Sequence, residues 1–425
     1  MPHQPAQIAA WTATWLLCGL VFALILWRPR RIPEYVWAVA GAILLVLLRL
    51  LPVDAAWAAV RSGTSVYLFL AGMMLLAELA RQHGVFDWLA ALAMDHAKGS
   101  HARLFVLVFA IGIVVTSLLS NDATAVLLTP AVLAVVRRAK ASPLPYLFAC
   151  ALVANAASFV LPISNPANLV VFEGQLPPLG EWTRIFIVPA VAALAVTFLI
   201  LRWHSRRELA PPIEADGATP VSLDRTGQRA ALGILVATGA LLATSAMGGP
   251  VGPATLVAGV LAMLFVAGTR GRVMASALRS VSWSMIPLVA GLFVIVAALQ
   301  AAGALSLSAH ALQIAAGWPH VAGWSAVAFG FGVAANAINN LPMGLIGASA
   351  VHAARASRAI HSAVLLGIDL GPNLSVTGSL ATILWLIALR RENIEVSGWR
   401  FLRIGILTMP PALLVAVLAL VLTQH

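Results

Sequence analysis

Between Arg229 and Arg270, and again between Arg279 and Arg355, the chain carries no Asp, Glu, Lys or Arg. From Leu104 to Val136 the single charge is Asp122, and from Ala359 to Leu389 it is Asp369. About 20 consecutive apolar residues cross a bilayer, so each of these stretches holds one or two crossings. A soluble protein carries about 25% charged residues, whereas here they make up 10% of 425 residues against 61% apolar ones. The expected fold class is an all-α polytopic membrane protein.

The net charge of +11 does not point to nucleic acid, because the basic residues sit in short loops between apolar spans, as the positive-inside rule requires. Tryptophans at expected span ends (Trp11, Trp27, Trp57, Trp88, Trp182, Trp203, Trp283, Trp399) fit interfacial belts. Cys18 and Cys150, the only cysteines, read as small buried hydrophobes. They form neither a disulfide framework nor a metal spacing. No basic n-region with a small-residue cleavage site opens the chain, so a cleaved signal peptide is not expected. The location that follows is the cell inner membrane, multi-pass.

The order of segments repeats. Residues 1–202 read as spans near 10–27, 33–51 and 63–80, two short arms over 104–137 separated by Ser120, Asn121 and Asp122, a span over 145–172 broken at 161–166, and a span near 185–202. Residues 203–228 read as a solvated cytoplasmic linker. Residues 229–425 repeat the series with spans near 230–247, 252–268 and 281–300. An interfacial helix near 303–319 follows, then two arms over 321–353 separated by Asn339 and Asn340. A span over 360–390 broken at 371–375 and a last span near 401–422 complete it. Ser120-Asn121-Asp122 aligns with Ile338-Asn339-Asn340, and Ser164 to Leu169 with Gly378 to Ile383. The Arg clusters at 28–31, 137–138, 202–207, 270–279 and 390–391 all fall on one side only if each pair of short arms enters and leaves on the same face. The result is two inverted repeats, each with five transmembrane helices (one broken) and a re-entrant helical hairpin. Arg355 and Arg358 fall on the opposite side.

Polar interruptions at corresponding places of two halves are the sequence pointer to a transporter's binding site. Asp122 and Asp369 lie alone in apolar spans, at a cost of roughly 2.5–3.5 kcal/mol each at mid-membrane, and read as proton-coupling groups. Helices restart after Asp122, Asn165, Asn340 and Ser379, each placed to cap an N-terminus, with Pro166 and Pro342 at or near the first helical position. Helix starts aimed at the midplane offer free N–H groups and partial positive charge. Ser120, Asn121, Thr124, Ser164, Asn165, Asn168, Asn339, Asn340, Asn373, Thr377, Ser379 and Thr382 are the candidate substrate-binding residues, although any one alone reads equally as a cap or an interhelical bond. Asn155 reads as either a packing bond or a pocket wall. Glu78 reads as a local pair with Arg81, and the Gly330/Gly332 pair as close helix packing. No G-x-x-x-x-G-K-[ST] loop occurs, no Lys lies within a span and no metal cluster is spaced for binding. The chain is therefore expected to be a carrier without cofactor rather than an enzyme.

At these residues the chain resembles the arsenical efflux pump membrane proteins. The likeness runs through Ser120-Asn121-Asp122 with Leu127-Leu128-Thr129-Pro130, through Asn339-Asn340-Leu341-Pro342 with Leu345-Ile346-Gly347-Ala348, and most specifically through Asp369-Leu370-Gly371-Pro372 with Gly378-Ser379-Leu380-Ala381-Thr382. It implies export of arsenite and antimonite in exchange for protons, contact with membrane lipid, and pairing with a separate soluble arsenite-stimulated ATPase subunit. In one place the chain departs from the better-known pumps. It has Asn155 where they look to have an acidic residue, and Ser164-Asn165-Pro166-Ala167-Asn168 is similar to branches of the wider ion-transporter superfamily that carry organic anions or sodium. A sodium- or proton-coupled carrier of another ion or organic anion in the same superfamily is the alternative that this departure implies. Arsenite near neutral pH is an uncharged trihydroxide, and with two distant cysteines only hydrogen bonds are left to hold it.

Overall fold

Inside a bilayer every backbone N–H and C=O must find a partner within the protein, and a helix supplies one within a single segment. The computed structural model describes residues 5–213, 222–268 and 278–424. Among these the chain forms nineteen α-helices and no strand. The first half runs α1 (Pro5–Trp27), α2 (Glu34–Leu47), α3 (Val53–Ser62), α4 (Thr64–Gln82) and α5 (Val85–Ala97). The hairpin arms α6 (His101–Leu118) and α7 (Thr129–Arg138) follow, then the broken pair α8 (Leu144–Ala156) and α9 (Pro166–Val171), and α10 (Leu179–His204). The second half runs α11 (Arg225–Ala246), α12 (Val251–Ala267), α13 (Met285–Leu299) and α14 (Leu305–Ala316). Its hairpin arms are α15 (His320–Ile338) and α16 (Asn340–Ala353), its broken pair α17 (Arg358–Leu370) and α18 (Leu380–Arg391), and its last helix α19 (Gly398–Thr423). Among the described residues, eight helical stretches are long and apolar enough to cross a bilayer, and α2, α8 and α12 are shorter apolar helices.

The halves interlock. α2 packs along α13 of the other half, α12 packs along α4, and α10 lies against α19. α1 covers α2 and α11 covers α12, and their outer faces expose large apolar side chains such as Leu16, Leu20, Leu235 and Val236. An exposed apolar surface of this extent marks a membrane contact. Around the second break, α15 and α17 touch backbone to backbone. A Cβ on Gly371 would lie 2.4 Å from the Gly332 Cα, whereas Gly330 faces open space. Of the expected glycine pair, only Gly332 serves close packing.

Loop contacts join segments expected on the same face. Arg137 pairs with Glu392 at 2.6 Å, Ser142 donates to Glu208 at 2.6 Å, and the Ile213 N–H reaches the Gly99 carbonyl at 2.9 Å. On the other face, Arg358 pairs with Glu181 and His361 Nε2 lies 2.9 Å from the Val171 carbonyl oxygen.

The structure corrects several expectations. α3 and α5 occupy residues left as connections in the sequence. Both are short and carry charges, Asp54 and Arg61 in one and Asp87 and Asp95 in the other, so neither has the uncharged length of a span. α5 packs on the hairpin arms α6 and α7 as α14 packs on α15 and α16, and is thus the counterpart of the expected interfacial helix. Trp182 is fully buried rather than at a lipid interface, and its indole N–H donates to the Phe159 carbonyl at 3.1 Å, inside the first break. The linker is not wholly solvated at its start, where Leu209 and Ile213 are buried. Its residues 214–221, and Arg270 and Arg272 of the fourth basic cluster, lie outside the described residues.

Candidate functional site

Four interrupted elements meet at a buried polar junction, and each begins with a cap. Asn165 is extended, its Oδ1 accepts the Ala167 N–H at 3.0 Å, and Pro166 opens α9. Ser379 Oγ accepts the Ala381 N–H at 3.2 Å at the start of α18. At the second hairpin tip the cap is Asn339, whose Oδ1 accepts the Leu341 N–H at 3.3 Å. At the first tip, Ser120 Oγ accepts the Ala123 N–H at 3.1 Å and Asn121 Oδ1 the Asp122 N–H at 2.9 Å. Asp122 and Asn340, expected as caps, are instead already helical. A cap stands outside the helix so that its side chain can reach back to an amide two or three residues on. Asn339 also holds φ at +82° and ψ at 154°, a sparsely populated conformation that costs about 1–3 kcal/mol.

Each hairpin tip is tied to the break of its own half. The Asn121 N–H donates to the Ser164 carbonyl at 3.1 Å, and the Asn340 N–H to the Gly378 carbonyl at 2.9 Å. These equivalent bonds match Asn121 with Asn340 and Asp122 with Leu341, one residue away from the alignment read in the sequence, and confirm Ser164 with Gly378.

The breaks are tied to each other crosswise. Asn165 Nδ2 donates to Asp369 Oδ1 at 2.8 Å. Asn155 Nδ2 donates to Asn373 Oδ1 at 3.0 Å and lies 3.4 Å from Thr382 Oγ1, while Asn373 Nδ2 donates to the Leu152 carbonyl at 3.0 Å. The register of the breaks makes Asn155 the counterpart of Asp369 and Asn168 that of Thr382. Asp369 is 0% exposed, and its Oδ2 has no hydrogen-bond partner among the described residues.

Several of the remaining candidates hold backbone. Ser164 Oγ donates to the Ser117 carbonyl at 3.2 Å. Asn168 Nδ2 donates to the Ser158 carbonyl at 2.9 Å, closing the first break. Thr124 Oγ1 shares a 2.8 Å bond with Thr116 within the first hairpin, and Thr377 Oγ1 donates to the Asn336 carbonyl at 2.6 Å. Asn336 is a residue that the sequence reading missed. Its Nδ2 donates to the Gly371 carbonyl at 2.9 Å and its Oδ1 accepts from the Ser375 N–H and Oγ at 3.0 and 2.6 Å, which organises the whole second break. Its spacing from Asn339, one helical turn, was the available signal.

A cavity of about 110 Å³ opens beside this junction, lined by Ser120, Asp122, Glu78, Pro166, Ser280 and apolar side chains of α4 and α18. Glu78 is buried, bonded to Arg81 at 2.6 and 2.8 Å and to Gln82 at 2.7 Å, so the expected local pair and a place in the cavity wall coexist. Among the described residues none of the lining side chains is basic. Asp369 lies behind Asn165, outside this lining.

The profile of the citrate transporter family matches residues 22–368. The chain belongs to this family. Within it and around it, the chain is 27% identical over 434 residues to the arsenical pump membrane protein of Escherichia coli K12, covering 96% of this chain and 98% of that one. It is 26% identical over 405 residues to an uncharacterised transporter of Mycobacterium tuberculosis, covering 91% and 92%. The YdaH transporter of Alcanivorax borkumensis, whose crystal structure is described as having an unusual topology, matches with a TM-score of 0.57 at 16% identity across 96% of this chain and 97% of that one. That likeness speaks for the fold alone. Family and fold together make this a multi-pass membrane transporter rather than an enzyme.

Proposed function

We propose that the protein exports arsenite and antimonite across the cell inner membrane in exchange for protons. The observation that carries this reading is the cavity beside the hairpin tip, where carboxylates, a hydroxyl and capped helix starts converge without a basic side chain. A neutral trihydroxide donates to carboxylates and accepts from N–H groups, so it suits such a wall. Near-full-length similarity to arsenical pump membrane proteins supports the same substrate. With the Arg-rich loops inside, the cavity opens to the cytoplasm. Solute binds there against Ser120, Asp122 and the junction formed by Asn121, Thr124, Ser164, Asn165, Asn168, Asn339, Asn340, Asn373, Thr377, Ser379 and Thr382.

Asp122 and Asp369 carry the protons. Asp369, sealed from water beside the neutral amide of Asn165, holds a charge only at a cost of several kcal/mol, and a proton removes that cost, while Asp122 meets protons at the cavity wall. One proton entering across about 100 mV supplies roughly 2.3 kcal/mol. At about 1.4 kcal/mol per tenfold, that sustains a gradient of nearly 50-fold for a neutral solute.

The family description and the Asn165-Pro166-Ala167-Asn168 sequence favour a second reading, a carrier of an organic anion such as citrate. The Asp122 carboxylate in the cavity wall weighs against a polyanion, and Glu78 beside it is already paired with Arg81. The test is proton-driven uptake of arsenite, antimonite and citrate into everted vesicles from a pump-deleted host. Arsenite and antimonite uptake should be abolished by a protonophore and lost in Asp122→Asn and Asp369→Asn. Uptake that survives in both variants removes the proton roles, uptake of citrate alone removes the substrate, and uptake that needs ATP after the protonophore assigns the drive to a soluble ATPase partner.

A further inference from the structure

The repeat supplies a second chamber. The equivalent bonds Asn121–Ser164 and Asn340–Gly378 fix the register, so Val126 in the first hairpin corresponds to Leu345 in the second, and Leu384 in α18 to Val170 in α9. Val126 and Leu384 line the cavity that holds Asp122. Leu345 and Val170 line a separate cavity of about 490 Å³. The same exchange holds for the long helices: the first cavity is walled by the middle of α4 and the start of α13, the second by α3, the start of α4 and the later part of α13. The two cavities are therefore counterparts under the inverted repeat and lie on opposite faces of the junction.

Their chemistry differs. Where the first holds Asp122 and Glu78, the second holds Gln300 and Ser349 against the hairpin arm, with the exposed carboxylate of Glu173 elsewhere in its wall. Gln300 Nε2 donates to Ser349 Oγ at 2.9 Å, linking α13 to the hairpin arm α16. Gln300 also begins a widened helical turn, Gln300–Ala304, in which Gly303 takes a φ of +100°, and such π-type interruptions concentrate at functional sites.

We propose that this second cavity is an exit-side binding chamber for a small neutral polyhydroxylated solute, which exchanges its hydroxyls for the Gln300–Ser349 bond. The solute class rests on the proposed function; the existence and sidedness of the chamber do not. The consequence is a transporter with acidic groups beside the hairpin tip on its loading side, and with amide and hydroxyl groups at the hairpin arm and one exposed carboxylate, Glu173, in the wall on its release side.

The test uses the full chain with Cys18 and Cys150 replaced by Ala, carrying Ser349→Cys, or Ser62→Cys at the mouth of the same chamber as a second variant, or Ser282→Cys in the first cavity. A membrane-impermeant maleimide is applied to intact cells and to everted vesicles with no solute present. Ser349→Cys and Ser62→Cys should label at least tenfold faster in intact cells, and Ser282→Cys at least tenfold faster in everted vesicles. Labelling of all three from one face, or of neither chamber cysteine from outside, overturns the chamber whatever the solute. In the second arm, Gln300→Ala should lower the maximal rate of antimonite uptake into everted vesicles about tenfold with KM unchanged. An unchanged rate overturns the binding role of Gln300, and a wild-type protein that moves no antimonite overturns the proposed function instead, leaving the labelling result standing.

Discussion

The two halves place the same helices around the same junction, yet they differ in where they put their acid. The first half has a carboxylate at its hairpin tip, Asp122, and an amide, Asn155, on its broken helix. The second half has Leu341 at the tip and Asp369 on the broken helix, facing Asn165. The second half also carries the strained tip residue, Asn339. The fold thus fixes positions twice, while the ionisable chemistry is used once at each. A symmetric scaffold needs no symmetric charge, and two acids at equivalent positions would place two desolvated charges near one another, which costs more than either alone.

The strongest way to break this comparison is to move the acid. Asp369→Asn should lower the arsenite gradient reached in everted vesicles by about 50-fold, the drive of one proton at about 100 mV. The double variant Asn155→Asp/Asp369→Asn should stay equally low, because a carboxylate at 155 faces Asn373 and Thr382 rather than the cap Asn165. Full recovery in the double variant would make the halves interchangeable. A smaller effect sharpens the same contrast between the caps. Asn165→Ala removes both an N-cap and the partner of Asp369, and should cost about 2–4 kcal/mol in a thermal unfolding scan in detergent. Ser379→Ala removes its cap bond alone and should cost about 1 kcal/mol, and equal losses would sink the asymmetry. The smallest effect is expected at the rims. Arg137→Ala breaks an exposed pair with Glu392 and should change stability by less than about 1 kcal/mol, as a matching scan would report.

Much of this junction was legible in the sequence because lipid allows few polar interruptions. Ser120 to Asp122, Ser164 to Asn168, Asn339 and Asn340, and Asp369 to Thr382 stand out from apolar surroundings, and the structure brings them together. The caps of the broken helices, Asn165 and Ser379, were legible at the residue, whereas those at the hairpin tips were legible only to within a residue or two, since polar residues at neighbouring positions satisfy the same pattern and backbone angles decide between them. Asn155 and Asn336 each look like an ordinary interhelical amide until the other half is laid over it. The interlocking of α2 with α13 and α12 with α4 left no trace in composition, because an apolar face turned to lipid and one turned to a neighbouring helix use the same side chains. α3 and α5 escaped notice because short charged helices lack the length of a span.

The crossed bonds weld the two broken helices into one girder. Asn165 reaches from the first half to Asp369 in the second, Asn155 reaches back to Asn373, and each hairpin hangs from the break of its own half. A displacement of either broken helix drags its twin and both hairpins along, so sliding is left to the seams where this girder meets α4 and α13. Loosening a single amide, Asn155 or Asn165, would let the halves drift out of step and uncouple loading on one face from release on the other.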